Sequence, residues 1–162
     1  MDDHVAEAIS AWVREAVGCQ GVHFGEILAG ATTATIQTCL ALRADGSVEP
    51  LVVKIYDRGI DGVGPDDVRR DAAALVAGAE AGLAMPRLVD ADPAGRRLGS
   101  PAIVMTRLHG TPDATGEPDP ERWVDGLAAA LASIHDAPQP TSPLPLFEHW
   151  LEAPLTRPSW CR

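Results

Sequence analysis

Hydrophobic positions recur along the chain with two different periods. Between about Asp3 and Val17, Val5, Ala8, Ile9, Trp12, Val13 and Ala16 fall on one stripe at helical spacing, and Gly18 and Gly21 end the pattern. Three extended segments follow. His23 to Leu28 leads into the small-residue turn Ala29-Gly30-Ala31-Thr32-Thr33, and Ala34 to Leu42 carries the β-branched Thr35, Ile36 and Thr38. Glu49 to Tyr56 then sets Leu51-Val52-Val53 ahead of Lys54, with the hairpin signal Asp45-Gly46 before it. These segments predict an antiparallel meander.

Asp57 to Pro65 is a glycine-rich connection. Pro65 with Asp66-Asp67 opens a second helix, because proline loses nothing at a helix start and acids suit the positive end of the dipole. That helix is expected through Val68, Ala72, Leu75, Val76 and Ala79 to Gly82. Pro86 to Val89 and Ala102 to Met105 read as two more strands, joined by the turn Asp92-Pro93-Ala94-Gly95. Gly110 to Pro120 is loop. Pro120 to His135 is a third helix, with Trp123, Leu127, Leu131 and Ile134 on one face. Beyond Ala137 the prolines 138, 140, 143 and 145 interrupt regular structure, and Phe147 to Leu151 has the spacing of a helical turn. The order is helix, three strands, helix, two strands, helix and a Pro-rich tail, without internal repeats.

Composition narrows the choice of function. A chain of 162 residues makes one domain or one lobe of something larger. Hydrophobic residues are 46% and aromatics only 4%, so the core must be mostly Ala, Val, Leu and Ile. The net charge of -10, with no basic run beyond Arg69-Arg70 and Arg96-Arg97, disfavours a nucleic-acid partner, which demands a basic stripe. Cys19, Cys39 and Cys161 are odd in number and scattered, which suits neither a disulfide framework nor a zinc site and fits a reducing compartment. The start, Met1-Asp2-Asp3-His4, has no cationic segment before an apolar block, and no run approaches the ~20 apolar residues of a membrane span. A soluble cytoplasmic protein without membrane contact is expected.

Lys54 is the only lysine among 13 basic residues, and the chain has no asparagine. Heavy Ala, Arg, Gly and Pro usage points to G+C-rich coding, under which a retained lysine marks a position that arginine would not serve. Lys54 follows a small-residue turn on the preceding hairpin and precedes a helix bearing Asp71. Such a turn lets backbone N–H groups approach phosphates, the ammonium contacts phosphate oxygens, and the helix acid orients the lysine. Simpler roles compete with this. Lys54 and Asp71 could be solvated surface charges, and Thr32 and Thr33 ordinary turn residues. Trp12 and Trp123 fit helix packing, and His4, His23 and His149 show no ligand spacing.

In these segments the chain resembles the aminoglycoside phosphotransferase family, the small-molecule branch of the protein-kinase-like fold. The resemblance runs over about residues 20–137. It rests on Leu28-Ala29-Gly30-Ala31-Thr32-Thr33-Ala34-Thr35, Leu51-Val52-Val53-Lys54-Ile55-Tyr56, and Arg70-Asp71-Ala72-Ala73-Ala74-Leu75. It continues through Met85-Pro86-Arg87-Leu88-Val89, Gly99 to Gly110, and the helix Leu127 to His135. It implies an α+β fold: a kinase-like N-lobe with an antiparallel five-stranded sheet and one packed helix, plus an N-terminal helix and the first helix of a C-lobe. The expected division is 1–20 for the N-terminal helix, 21–108 for the nucleotide-binding lobe, and 109–162 for the start of the C-lobe with its tail.

The resemblance also implies ATP with Mg2+, bound by Lys54, Asp71 and the turn Gly30, Ala31, Thr32 and Thr33. Leu28 and Val52 would line the adenine pocket, with Met105 behind the base and the backbone of Thr106, Arg107 and Leu108 as the hinge. Two departures stand out. The turn has one glycine, and the helix acid is Asp71 where the family carries the longer Glu. The family's catalytic His-Gly-Asp and its metal-binding Asn are not matched. His109-Gly110-Thr111 lacks the Asp, His135-Asp136 is followed by prolines, and a chain without Asn offers no such ligand.

No catalytic residue and no protein ligand for Mg2+ is therefore assigned. The expectation is a truncated phosphotransferase: the ATP-binding lobe of an enzyme transferring a γ-phosphate to a small-molecule hydroxyl, inactive by itself. A complementary C-lobe chain or self-association would cover the apolar surface left open. The alternatives are a non-catalytic, pseudokinase-like nucleotide-binding or interaction module, and an unrelated α+β domain with a coincidental lysine.

Overall fold

The computed structural model describes residues 2–28, 31, 33–57, 64–110 and 119–138. Its elements are α1 (Asp3–Val17), β1 (Gly21–Leu28), β2 (Ala34–Leu42), β3 (Val48–Tyr56), α2 (Pro65–Glu80), β4 (Leu88–Asp92), β5 (Ala102–Thr106) and α3 (Pro120–His135). The five strands form one antiparallel sheet in the order β1-β2-β3-β5-β4. The fold is α+β, with the sheet and helix arrangement of a kinase-like N-lobe. Among the described residues no helix is long and apolar enough to cross a membrane.

Period-two alternation in β3 and β5 divides the core between two faces. On one face Cys39, Ala41, Leu51, Val53, Ala102 and Val104 meet Ile9, Trp12 and Val13 of α1. On the other, Tyr56 and Ile103 meet Val68 and Leu75 of α2, with Met85, Leu88 and Met105 beside them. Two helices therefore pack on the sheet, one per face: α2, the expected packed helix, and the expected N-terminal helix α1 on the opposite side. In the stripe of α1, Ile9, Trp12 and Val13 are all essentially inaccessible. Each such side chain contributes roughly 1.5–3 kcal/mol by leaving water.

Local signals set the element ends. The Asp2 carboxylate accepts from the His4 N–H at the start of α1, and Gly18, at φ 65°, closes it with an N–H bond to the Arg14 carbonyl. At α2 the N-cap is Gly64, whose N–H donates to Asp67 Oδ2 at 2.8 Å. The fourth strand begins at Leu88, two residues after Pro86. Arg87 donates its N–H to the Thr106 hydroxyl, and its carbonyl accepts from the Thr106 N–H; the ladder with β5 then begins at Leu88 and shifts register between Leu88 and Asp90.

In β1 the register slips between Phe24 and Ile27. Gln37 Nε2 donates to the Gly25 and Thr38 carbonyls, and Thr38 Oγ1 donates to the Glu26 carbonyl at 2.8 Å. A Cβ on Gly25 would stand 2.5 Å from Thr38 Oγ1, so only glycine lets this bulge close.

Candidate functional site

Strand register builds the site. Lys54 lies opposite Ile36 on β2 and Ile103 on β5, and Ile36 lies opposite Leu28 on β1. The next rung holds Thr38, Val52, Met105 and Leu88. Alternation places Val52, Lys54 and Tyr56 on the face that carries α2. Leu28, Val52 and Met105 thus share that face with Lys54, as an apolar floor ending in one cation.

Asp71 meets Lys54 because of its place on α2. Val68, Asp71, Leu75 and Gly78 follow one another at helical spacing on the side turned to the sheet, and Val68, Leu75 and Gly78 are buried. Lys54 Nζ lies 2.7 Å from Asp71 Oδ2. The aspartate, though shorter than the glutamate of the resemblance, reaches the lysine. The side chains keep 25% and 39% of their exposure, so the ion pair alone contributes at most about 1 kcal/mol.

Tyr56, to which no role was assigned from sequence, donates its hydroxyl to the same Asp71 Oδ2. Its ring lies 4.6 Å from the lysine nitrogen. Burial, then the hydrogen bond to Asp71 and its negative charge, push the phenol's ionisation far above the usual tyrosine range. Two signals were available in the sequence: Tyr56 is the chain's only tyrosine, and it stands two residues beyond Lys54 on the same strand face.

At the other end of the floor, the Thr106 N–H donates to the Arg87 carbonyl and the Arg107 N–H to the Pro50 carbonyl. Both donors are engaged in the sheet. Pro50 has no N–H and gives no return bond to the Arg107 carbonyl. Of the three hinge residues, Leu108 is the one whose N–H lies outside these sheet bonds.

Of the turn residues, Gly30 and Thr32 lie outside the described residues. Ala31 and Thr33 are exposed, and the Thr33 carbonyl accepts from the Asp57 N–H at 3.0 Å. That bond ties the turn to the Tyr56 end of β3. A cleft of about 410 Å³ opens there, lined by Ala31, Ala34, Thr35, Ile55, Tyr56, Asp57 and Ser100. It borders the turn but does not include Lys54, Val52 or Met105. His109 and His135 are exposed, the first in the loop just after Leu108 and the second at the end of α3. Among the described residues no three His, Cys, Asp or Glu side chains are grouped to hold a metal ion.

The model of the phosphotransferase enzyme family (APH) matches residues 39–162. The chain belongs to this family. The matched span starts inside β2 and takes in Lys54, Asp71 and the hinge, leaving Leu28 and the turn upstream of it. No curated protein matches the chain. Membership makes this a kinase-like phosphotransferase sequence, and enzymes of the family generally use ATP and Mg2+. The described acidic residues offer no set of ligands for the metal.

Proposed function

We propose that this chain is the nucleotide-binding lobe of a kinase-like phosphotransferase, with Lys54 as its phosphate-contacting cation. The observation that carries this is the 2.7 Å bond from Lys54 Nζ to Asp71 Oδ2. It holds the chain's only lysine ammonium on the sheet face shared by Leu28, Val52 and Met105. A nucleotide bound there would rest its base on Val52 and Met105, against the backbone of Thr106 to Leu108. Its phosphates would reach Lys54 and the turn of Gly30, Ala31, Thr32 and Thr33. The bound nucleotide would supply the phosphoryl group, and the family resemblance makes a small-molecule hydroxyl the acceptor. The chain's part is to neutralise and orient the phosphates.

No residue is assigned to the transfer step. The sequence contains no Asn and no His-Gly-Asp, the groups that the resemblance requires for metal binding and for accepting the hydroxyl proton. The 162-residue chain alone is therefore expected to bind nucleotide without turning it over. A cytoplasmic location belongs to the same proposal and is supported by the odd number and scattered spacing of the cysteines.

Titration of ATP, with and without magnesium, against wild type and Lys54→Met tests the assignment. Binding by wild type that falls at least about tenfold in the variant supports it, since a lost charged hydrogen bond is worth about 1.5–3 kcal/mol. Equal binding, or none by either protein, counts against it.

A second reading, an interaction module that uses the lobe as scaffold, is favoured by α3. Trp123, Val124, Leu127, Leu131 and Ile134 are each 45–56% exposed. An apolar stripe of that kind is commonly a contact surface for a partner or a second copy.

A further inference from the structure

We propose that Tyr56 is a positioning residue of the lysine site, its hydroxyl fixing the Asp71 carboxylate in the orientation that holds Lys54. This rests on the assignment of Lys54 as the phosphate contact and adds a residue to it. Asp71 Oδ2 accepts from both Lys54 Nζ and the Tyr56 hydroxyl, so one oxygen joins two donors on the same strand. The two donors differ in rigidity. Lys54 has a long, mobile stem, and its exposed ion pair has little power to order either partner. Tyr56 is 4% exposed and packs with Val68, Leu75 and Ile103, so its oxygen is fixed by the core. A hydrogen bond from such a fixed donor orders the carboxylate more than the exposed ion pair does. Burial and the adjacent carboxylate keep the phenol protonated, so it remains a donor throughout the neutral range.

The Tyr56 ring has a separate contact with Lys54, the nitrogen standing 4.6 Å from its centroid. Tyr56→Phe keeps the ring and its packing and removes only the oxygen. Asp71→Glu adds one C–C bond of reach, about 1.5 Å. In wild type the longer carboxylate competes with the phenol oxygen for the position beside Lys54, whereas in Tyr56→Phe it takes the place of the oxygen that is lost. The two substitutions are therefore complementary: each disturbs the site alone, and together they restore a carboxylate held against Lys54.

Lys54 is the only lysine, so its exposure to solution can be followed without interference from another side-chain amine. Wild type, Tyr56→Phe, Asp71→Glu and the double variant are each pulsed with an amine-acylating reagent. The Lys54 peptide is quantified by mass spectrometry apart from the N-terminal peptide, and ATP affinity is measured in parallel. Tyr56→Phe is expected to speed Lys54 acylation and weaken ATP binding, each about 5–10-fold, the effect of losing roughly 1–1.4 kcal/mol of hydrogen bonding. The double variant is expected to lie nearer wild type than either single variant in both measurements.

Trp12→Phe serves as the control for general loosening. It lowers thermal stability on the opposite face and is expected to leave Lys54 labelling at the wild-type rate. Wild-type labelling in Tyr56→Phe, or a double variant no better than the singles, overturns the proposal. Loss of the Lys54→Met effect on ATP binding, with the labelling pattern intact, instead overturns the nucleotide assignment and leaves the positioning role standing.

Discussion

Trp12 Nε1 donates a 2.6 Å hydrogen bond to Asp90 Oδ2, joining α1 to β4 across the face of the sheet opposite Lys54. Arg97 sits over the same indole, 5.7 Å from its centre, and forks to both carboxylate oxygens of Glu15 at 2.7 and 3.1 Å. The Arg97–Glu15 pair is exposed, whereas the indole is 1% exposed. Trp12→Phe removes the donor from a partly buried carboxylate and leaves a void. It is expected to cost about 2–4 kcal/mol in urea-induced unfolding. Glu15→Gln, at this exposed pair, should leave the unfolding midpoint close to that of wild type. Similar losses in the two variants would show that the indole bond does not anchor α1.

Gly78 and Met85 fix how closely the connection after α2 folds back against that helix. A Cβ on Gly78 would fall 1.7 Å from Met85 Sδ and 3.0 Å from its methyl carbon. The Gly78 carbonyl also accepts from the Leu83 N–H, holding the connection tight. Gly78→Ala is therefore expected to lower stability by about 1–3 kcal/mol despite alanine's better helix propensity. Asp71 lies two turns earlier on the same helix, so Lys54 labelling should rise as well. A melting temperature at or above wild type would contradict the packing described.

Much of this architecture was legible from local pattern. The stripe from Val5 to Ala16 gave α1 its bounds, and Pro120 to His135 is α3 as predicted. Asp45-Gly46 and Asp92 to Gly95 turn where expected, with Gly46 and Gly95 at φ 81° and 67°. Each of those signals is carried by residues close in sequence. What could not be read depends on register between distant segments. The Gly25 bulge needs Thr38 beside it, the Trp12 donor needs Asp90, and the place of Tyr56 beside Asp71 needs α2 docked on β3. Asp119, expected in an acidic loop, caps α3 by accepting from the Arg122 N–H. Trp123, expected to pack, is 45% exposed, because helical spacing identifies an apolar face but not what covers it.

Cys39 makes stability sensitive to alkaline pH. Its burial, and then the neighbouring Cys19, push the thiol from an ordinary value near 9 up to about 11. A raised value means that the folded state holds the proton more tightly than the unfolded state. The associated stability is fully present below about pH 9 and is lost as pH rises towards 11. Two units correspond to about 2–3 kcal/mol by the end of that window. Tyr56, also shifted upward, adds to the loss in the same direction. Under reducing conditions, wild-type unfolding free energy should fall more steeply between pH 8.5 and 10.5 than that of Cys39→Ala, whatever the variant's starting stability. Parallel slopes would exclude Cys39 as the source.

The apolar face of α3 predicts a separation between stability and association. Leu127 and Leu131 are 52% and 55% exposed, and no residue of α3 is buried. Substituting both by Gln removes little apolar surface that folding has taken out of water. The unfolding free energy of the sheet should therefore change by no more than about 1 kcal/mol. If the face is a contact between copies or with a partner, the same double variant should bind less of a hydrophobic dye. In sedimentation velocity it should also stay monomeric at concentrations where wild type associates. A loss of more than about 2 kcal/mol would instead place the α3 face against another part of its own chain. Unchanged stability with unchanged sedimentation would remove the observation that favours an interaction module and leave the nucleotide lobe as the single reading.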